Sequence, residues 1–179
     1  CDTMKDEFIE ILGMNKNKVE LVYNPINLEI IKEKAEDINP EYENYLKKNY
    51  FLQVSRLTQQ KQPEHLVDIY YKLKQRGIKE NLYFIGDGEK VELIKQKIKE
   101  YNLENDVILL GQIENPYPFF KNAKLFVHTA KYEGLPTVLL ESLTLGTPVV
   151  AYDCPTGPKD ILGQNSEYGE LIPLNDKDT

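Results

Sequence analysis

Short apolar runs alternate with stretches of helical periodicity along nearly the whole chain. The runs at 19–23, 51–55, 82–85, 107–110, 125–128 and 148–152 predict strands, with a weaker one at 169–172. Amphipathic spacing predicts helices over 4–13, 28–37, 63–75, 89–101, 117–123 and 137–145, and a short helical turn at 158–162. Regular β-then-α alternation is the sequence form of a parallel sheet with crossover helices. Runs such as Phe51-Leu-Gln-Val and Leu125-Phe-Val-His are apolar nearly throughout, which a strand needs only when both of its faces are covered. The expected fold class is therefore α/β, a Rossmann-like doubly wound parallel sheet with helices on both faces. In such sheets ligands bind beyond the C-terminal strand ends, and the loops at 55–63, 86–89, 111–116, 129–136 and 153–158 all follow a strand, so they converge on one rim. The polar, Tyr-rich stretch 39–48 reads as a surface excursion or an extra helical turn, and the Lys/Glu run 90–100 as the solvated face of a helix.

Composition narrows the classes. At 179 residues, 1–179 is one domain rather than two. With 41% hydrophobic and 28% charged residues and no apolar run near the ~20 residues of a membrane span, no segment of it inserts directly into a bilayer. The net charge of −7 argues against nucleic acid or an anionic lipid surface as partner, so any phosphate must be met by local cations. Cys1 and Cys154 are far apart and lack metal spacing, which fits free thiols in a reducing cytoplasm, peripheral at most to the inner face of a membrane. A D-x-D occurs only at Asp176-Lys-Asp178 in a polar tail, so no metal and no cofactor are predicted. The first residues lack an apolar signal core and an initiator methionine, which reads as an excised piece of a longer chain.

The chemistry concentrates in Tyr132 to Ala151. Glu133 and Glu141 stand eight residues apart across a Gly134-Leu135-Pro136 break that opens a helix at Thr137. Helical rise spaces them by roughly 12 Å, beyond the ~5–9.5 Å of glycosidase carboxylate pairs, so a two-carboxylate hydrolase is disfavoured. The spacing suits one acid for a sugar and one for a ribose, with a diphosphate between them over the free N–H groups of Leu135, Thr137 and Val138. At another rim loop, Arg56 and Lys61 end a strand just before a helix, where a fork of donors and a mobile point charge could grip a diphosphate. The bland alternatives are a solvated Glu141 and two solvated cations. Gly86 and Gly88 allow backbone to approach a ligand closely, but the third glycine of a dinucleotide fingerprint is missing, which disfavours a nicotinamide or flavin. Asn24 and Asn27 around Pro25 read as a turn and helix N-cap. His128 and Thr129 could reach a ligand, although a core histidine with a satisfied ring is the simpler account.

The string E-G-L-P-T-V-L-L-E followed by L-G-T-P-V-V-A resembles the E-x7-E signature of family 4, the retaining GT-B-type nucleotide-sugar glycosyltransferases, over roughly 18–172. Ser55-Arg-Leu-Thr-Gln-Gln-Lys is similar to that family's G-R-L-x-x-x-K-G element, with Ser55 and Gln62 in place of the glycines. The resemblance implies one half of a GT-B fold, the C-terminal donor domain, lacking the N-terminal acceptor domain and the final helices. It implies Glu133, Arg56 and Lys61 in catalytic roles. Donor binding would fall to Glu141, Gly134, Leu135, Pro136, Thr137, Ser55, Gly86, Gly111 and Ile113, with Asp87 and Lys159 lower in rank. Family behaviour further implies a nucleotide-diphosphate sugar donor, most simply a UDP-sugar. The acceptor would be a glycan or lipid-linked sugar met through the missing half, in bacterial surface polysaccharide synthesis, with an inactive isolated domain. A nucleotide-sugar epimerase of the same architecture and a noncatalytic nucleotide- or sugar-binding module are the alternatives.

Overall fold

The computed structural model describes residues 2–163, 165–174 and 176. Six strands form one wholly parallel sheet in the order β3-β2-β1-β4-β5-β6: β1 (Tyr50–Val54), β2 (Asn81–Ile85), β3 (Val107–Leu109), β4 (Leu125–His128), β5 (Val149–Tyr152) and β6 (Glu170–Ile172). The helices are α1 (Asp2–Leu12), α2 (Leu28–Lys34), α3 (Glu43–Leu46), α4 (Pro63–Gln75), α5 (Val91–Glu100), α6 (Tyr117–Asn122), α7 (Thr137–Thr144) and α8 (Pro158–Leu162).

Strand alternation feeds two cores. Tyr50, Leu52, Tyr83, Phe126 and Val149 point to the face covered by α6, α7 and α8, with Phe119, Phe120, Leu139 and Leu162 packed on them. Leu82 and Phe84 point the other way, onto Leu66, Val67 and Tyr70 of α4 and Ile94 and Ile98 of α5. Helices therefore cover both faces, as the apolar strands require. The Tyr-rich stretch 39–48 is part of this packing: its 3₁₀ turn Pro40–Tyr42 and α3 set Tyr42 edge-on to Phe119 at 5.4 Å and Tyr45 edge-on to Tyr83 at 5.9 Å between ring centres. Buried tyrosine needs a partner for its hydroxyl, and Tyr50 donates to the Phe119 carbonyl at 2.8 Å.

One predicted strand is absent. Residues 19–23 run without a ladder partner: Val19 is extended (φ −112, ψ 112), yet Val22 is 80% exposed. The apolar pattern is that of a strand, but among the described residues no sheet edge lies beside it, and an isolated strand has nothing to bond. The N-cap that follows forms as expected, Asn27 accepting from the Ile30 N–H at 3.1 Å. The helix predicted over 28–37 ends at Lys34. Cys1 and Asp178 lie outside the described residues, so the pairing of the two cysteines and the D-x-D are not described. Among the described residues no helix is long and apolar enough to cross a membrane.

Candidate functional site

The sheet order reverses between β1 and β4. Chain leaving β1 turns to α4 on one face and chain leaving β4 turns to α7 on the other, so their loops part and leave a crevice at the C-terminal strand ends. The 55–62 loop and the 129–136 loop are its walls, and hydrogen bonds fix them to one another. The Lys131 N–H donates to the Gln60 carbonyl at 2.8 Å and Gln60 Nε2 donates to the Tyr132 carbonyl at 2.8 Å. Thr129 Oγ1 donates to the Lys61 carbonyl at 2.8 Å and accepts from Gln53 Nε2 at 3.1 Å.

This stitching brings Lys61 and Glu133 together. Glu133 Oε1 accepts from Lys61 Nζ and from His128 Nε2, the latter at 2.9 Å. The carboxylate is 9% exposed and the ammonium 13%, so water screens the pair little. Burial opposes the Glu133 charge, but the hydrogen bonds from His128 and Lys61 and the charge of Lys61 outweigh it and hold the carboxyl below the usual carboxylate range. Burial also depresses the His128 imidazole below its ordinary value, leaving it neutral at pH 7. An ionised carboxylate accepts only, so Nε2 carries the proton; this tautomer is assigned from the network. Lys61, expected as a mobile point charge for a diphosphate, is held here by Glu133. Arg56, by contrast, is exposed and makes no ion pair among the described residues.

The backbone of the Glu133 loop is pinned from β5. Thr156 Oγ1 donates to the Glu133 carbonyl, and Gly157 (φ +94) sits so close that a Cβ there would lie 2.6 Å from Pro136 Cδ and 2.7 Å from the Gly134 carbonyl oxygen. Sequence reasoning weighed His128 as a ligand contact but preferred a satisfied core histidine, and it passed over Thr156 and Gly157 as site residues. The adjacent Gly157-Pro158 marked a special turn, but nothing in residue type alone said which loop it would meet. Lys159, ranked low as a diphosphate contact, pairs with Asp153 at 3.0 Å. Leu135, Pro136 and Thr137 lead into α7, whose first turn has no side-chain cap and so offers N–H groups to an anion.

Glu141, on α7, is half-buried and has no ion-pair partner among the described residues; burial raises its pKa. Tyr117 of α6 is near enough for the Glu141 charge to help raise its own pKa, after burial. A buried, unpaired carboxylate lowers stability above its folded pKa and stops doing so as pH falls through that value and the group is protonated. Glu141→Gln should therefore raise stability at pH 7 by about 0.5–1 kcal/mol, the gain shrinking in acid, while weakening any ligand that Glu141 holds. Urea unfolding of wild type and variant at pH 7 and pH 4.5 checks it; no gain at pH 7, or the same gain at both pH values, would refute the assignment of a burial penalty to this group.

Ser55 and Gly86 meet directly. Gly86 (φ +129) lies against the Ser55 carbonyl, and its N–H donates to the Gly111 carbonyl at 2.7 Å, so the β1, β2 and β3 loops are in contact. The close approach that Gly86 and Gly88 permit is to the backbone of Ser55 and Leu57, a packing reason distinct from the ligand approach expected of them. Ser55 Oγ is buried and has no hydrogen-bond partner among the described residues. Ile113, beyond Gly111, lines a polar cavity of about 500 Å³ with Gln112, Asn39 and Glu114, next to the β3–α6 loop. A second groove of about 460 Å³ lies beside α4 over β4, β5 and β6, walled mostly by apolar side chains such as Leu66, Leu73, Val127 and Val150, with His128 and Thr129 also in its wall. No cluster of three metal-ligating side chains occurs among the described residues.

Residues 34–179 match the family Glycosyl transferases group 1. The chain is 33% identical over 175 residues (97% of this chain, 45% of the relative) to the N-acetylgalactosamine-N,N'-diacetylbacillosaminyl-diphospho-undecaprenol 4-alpha-N-acetylgalactosaminyltransferase of Campylobacter jejuni subsp. jejuni serotype O:2. Among solved structures it superposes on the lipopolysaccharide outer core galactosyltransferase WaaB (TM-score 0.73, 28% identity, 96% of this chain, 47% of that one). It also superposes on Anabaena HepE in complex with UDP (TM-score 0.79, 20% identity, 97% of this chain, 48% of that one), a likeness of fold. The chain thus spans under half the length of these relatives. With a doubly wound sheet, a Lys–Glu contact at its switch point and a match covering most of its length, the chain belongs to the group 1 glycosyl transferases.

Proposed function

We propose that 1–179 is the donor-binding domain of a retaining glycosyltransferase that takes a nucleoside-diphosphate sugar. The observation that carries this is the convergence of Lys61 and Glu133 in the switch-point crevice, at the uncapped start of α7. A departing diphosphate develops negative charge as the glycosidic bond breaks. Arg56, Lys61 and the first N–H groups of α7 are the local cations and dipoles that meet it in a chain whose net charge is −7. Glu133 orients the transferred sugar and Glu141 accepts from ribose hydroxyls. The base pocket would lie along Gly111 to Ile113. Acceptor recognition would belong to sequence outside this chain, with a glycan or lipid-linked sugar as acceptor in cytoplasmic synthesis of bacterial surface polysaccharide. The diphospho-undecaprenol acceptor and the lipopolysaccharide core named for two of the relatives support that reading. UDP is supported by the HepE complex of the same fold.

Calorimetric titration of the full-length protein with UDP, GDP and ADP tests it. We expect one diphosphate, UDP, to saturate the site, and Arg56→Ala to weaken it roughly 10- to 100-fold, the worth of a charge-assisted contact of about 1.5–3 kcal/mol. Failure of all three to bind at millimolar concentration would sink the donor-domain reading. Binding with epimerised or unchanged sugar in place of a glycoside would point to the epimerase or to a noncatalytic module.

A further inference from the structure

His128 is 1% exposed and sits on β4, on the same sheet face as Phe126, whose ring lies 6.4 Å away. An imidazole so placed is usually a core residue with both nitrogens occupied. Here only one is: Nε2 faces Glu133 Oε1 at 2.9 Å, while Nδ1 is buried with no partner among the described residues. An apolar side chain would fill this position without leaving a buried nitrogen unsatisfied. The structural fact that offsets the loss is the Nε2 contact.

Both donors to Glu133 use the same oxygen. Lys61 Nζ and His128 Nε2 converge on Oε1, and Oε2 takes no hydrogen bond among the described residues. The two donors differ in freedom. Lys61 comes from a loop, on a long stem that can turn toward an arriving phosphate. His128 is held in a strand by its neighbours and cannot follow. When the lysine reaches a diphosphate, the histidine is the anchor that stays.

We propose that His128 is a positioning residue that fixes Oε1 of Glu133 through its Nε2–H, so that Oε2 stays presented to a hydroxyl of the donor sugar while Lys61 turns to the diphosphate. This rests on the donor-binding reading above. The groups facing His128 are Glu133 and Lys61, and its neutral state at pH 7 follows from burial, so it holds Glu133 as a dipole and adds no charge that would compete for phosphate. Its effect falls on the sugar half of the donor and not on the nucleotide half.

Two variants of the full-length protein, compared with wild type, separate this from a packing role: His128→Gln, whose amide N–H can reach the same oxygen, and His128→Leu, which fills space without a donor. UDP affinity should stay within about twofold in all three. Turnover of the UDP-hexose the protein accepts, screened among UDP-glucose, UDP-galactose and UDP-N-acetylglucosamine, should lose roughly 100-fold in kcat/KM in His128→Leu and recover to within about tenfold in His128→Gln. Equal losses in UDP binding and turnover, without recovery in His128→Gln, would overturn the proposal in favour of packing. A second readout needs no substrate: long-range 1H–15N spectra of histidine-labelled wild type should show His128 protonated at Nε2, and the Nδ1–H tautomer would refute it. If that tautomer is as expected and no UDP-sugar binds, the donor reading has failed and the His128–Glu133 contact has not.

Discussion

Replacement of Glu133 by Gln should lower kcat/KM for the donor sugar of the full-length protein by about 10²–10³-fold while leaving UDP binding intact or a few-fold tighter. The opposite signs come from the geometry. Glu133 balances the Lys61 charge in the crevice, so removing the carboxylate frees the lysine for a diphosphate. At the same time, the amide has one acceptor oxygen where the carboxylate has two. If that oxygen keeps Lys61 and His128, the position of Oε2 becomes an N–H₂ that donates where a sugar hydroxyl needs an acceptor. The same variant carries a pH signature. The Glu133 pKa is depressed on folding, so its contribution to stability is fully present above the unfolded value near 4.3 and is lost as pH falls through the folded value. Wild type should therefore exceed Glu133→Gln by about 2 kcal/mol at pH 7, with the difference closing in acid below pH 4. Urea midpoints across pH 3–7, beside UDP calorimetry and donor turnover, read all three effects. A variant that lost UDP affinity and stability in parallel at every pH would show that Glu133 is a structural acid only.

Much of this site was legible because local signals and the global fold agree there. Apolar strands followed by polar loops placed the 55–63 and 129–136 segments on one rim before any contact was known, and the break at Gly134-Leu135-Pro136 put the helix start at Thr137, where it is observed. Contacts that depend on three-dimensional closeness without a local signature were not legible. His128 meets Glu133 five residues away only because the β4–α7 loop folds back, and Thr156 reaches the same residue from the next strand's loop. The failed strand at 19–23 has a related cause. Its pattern reports a preference for a half-buried sheet position, and that preference is realised only where a neighbouring strand supplies the ladder. Residues 39–48, read as a surface excursion or an extra helical turn, form a 3₁₀ turn and α3 and are mostly exposed, but their polar letters gave no sign that Tyr42 and Tyr45 pack rings against Phe119 and Tyr83.

The β1–α4 loop that carries Ser55, Arg56 and Lys61 is itself held by a glycine just beyond the neighbouring strand β2, and Gly86→Ala should therefore cost about 3 kcal/mol or more and displace that loop. Two effects act at this position. The backbone lies at φ +129, which an L side chain rarely adopts, and a Cβ there would overlap the Ser55 carbonyl oxygen, a backbone atom with no rotamer to escape into. Gly111 gives a reference without the steric effect, because it has a positive φ (+71) nearer the left-handed region and nothing within 4 Å of the added Cβ. Gly111→Ala should cost only the left-handed penalty of about 1 kcal/mol. The excess in Gly86→Ala then measures the steric conflict together with the greater backbone penalty of φ +129. Relief of that conflict needs Ser55 to move away, which breaks the Ser55 N–H bond to the Ile85 carbonyl (3.0 Å) or shifts Leu57, whose N–H donates to Asp87 at 2.8 Å. Either movement carries Arg56 with it, so UDP binding should fall in Gly86→Ala even under conditions where the protein remains folded. Urea unfolding of both alanine variants, with UDP titration of each at low temperature, tests the argument. Equal destabilisation of the two would mean that neither the wider angle nor the Ser55 contact adds to the left-handed penalty, and that the contact between Gly86 and Ser55 is too compliant to set the shape of the crevice.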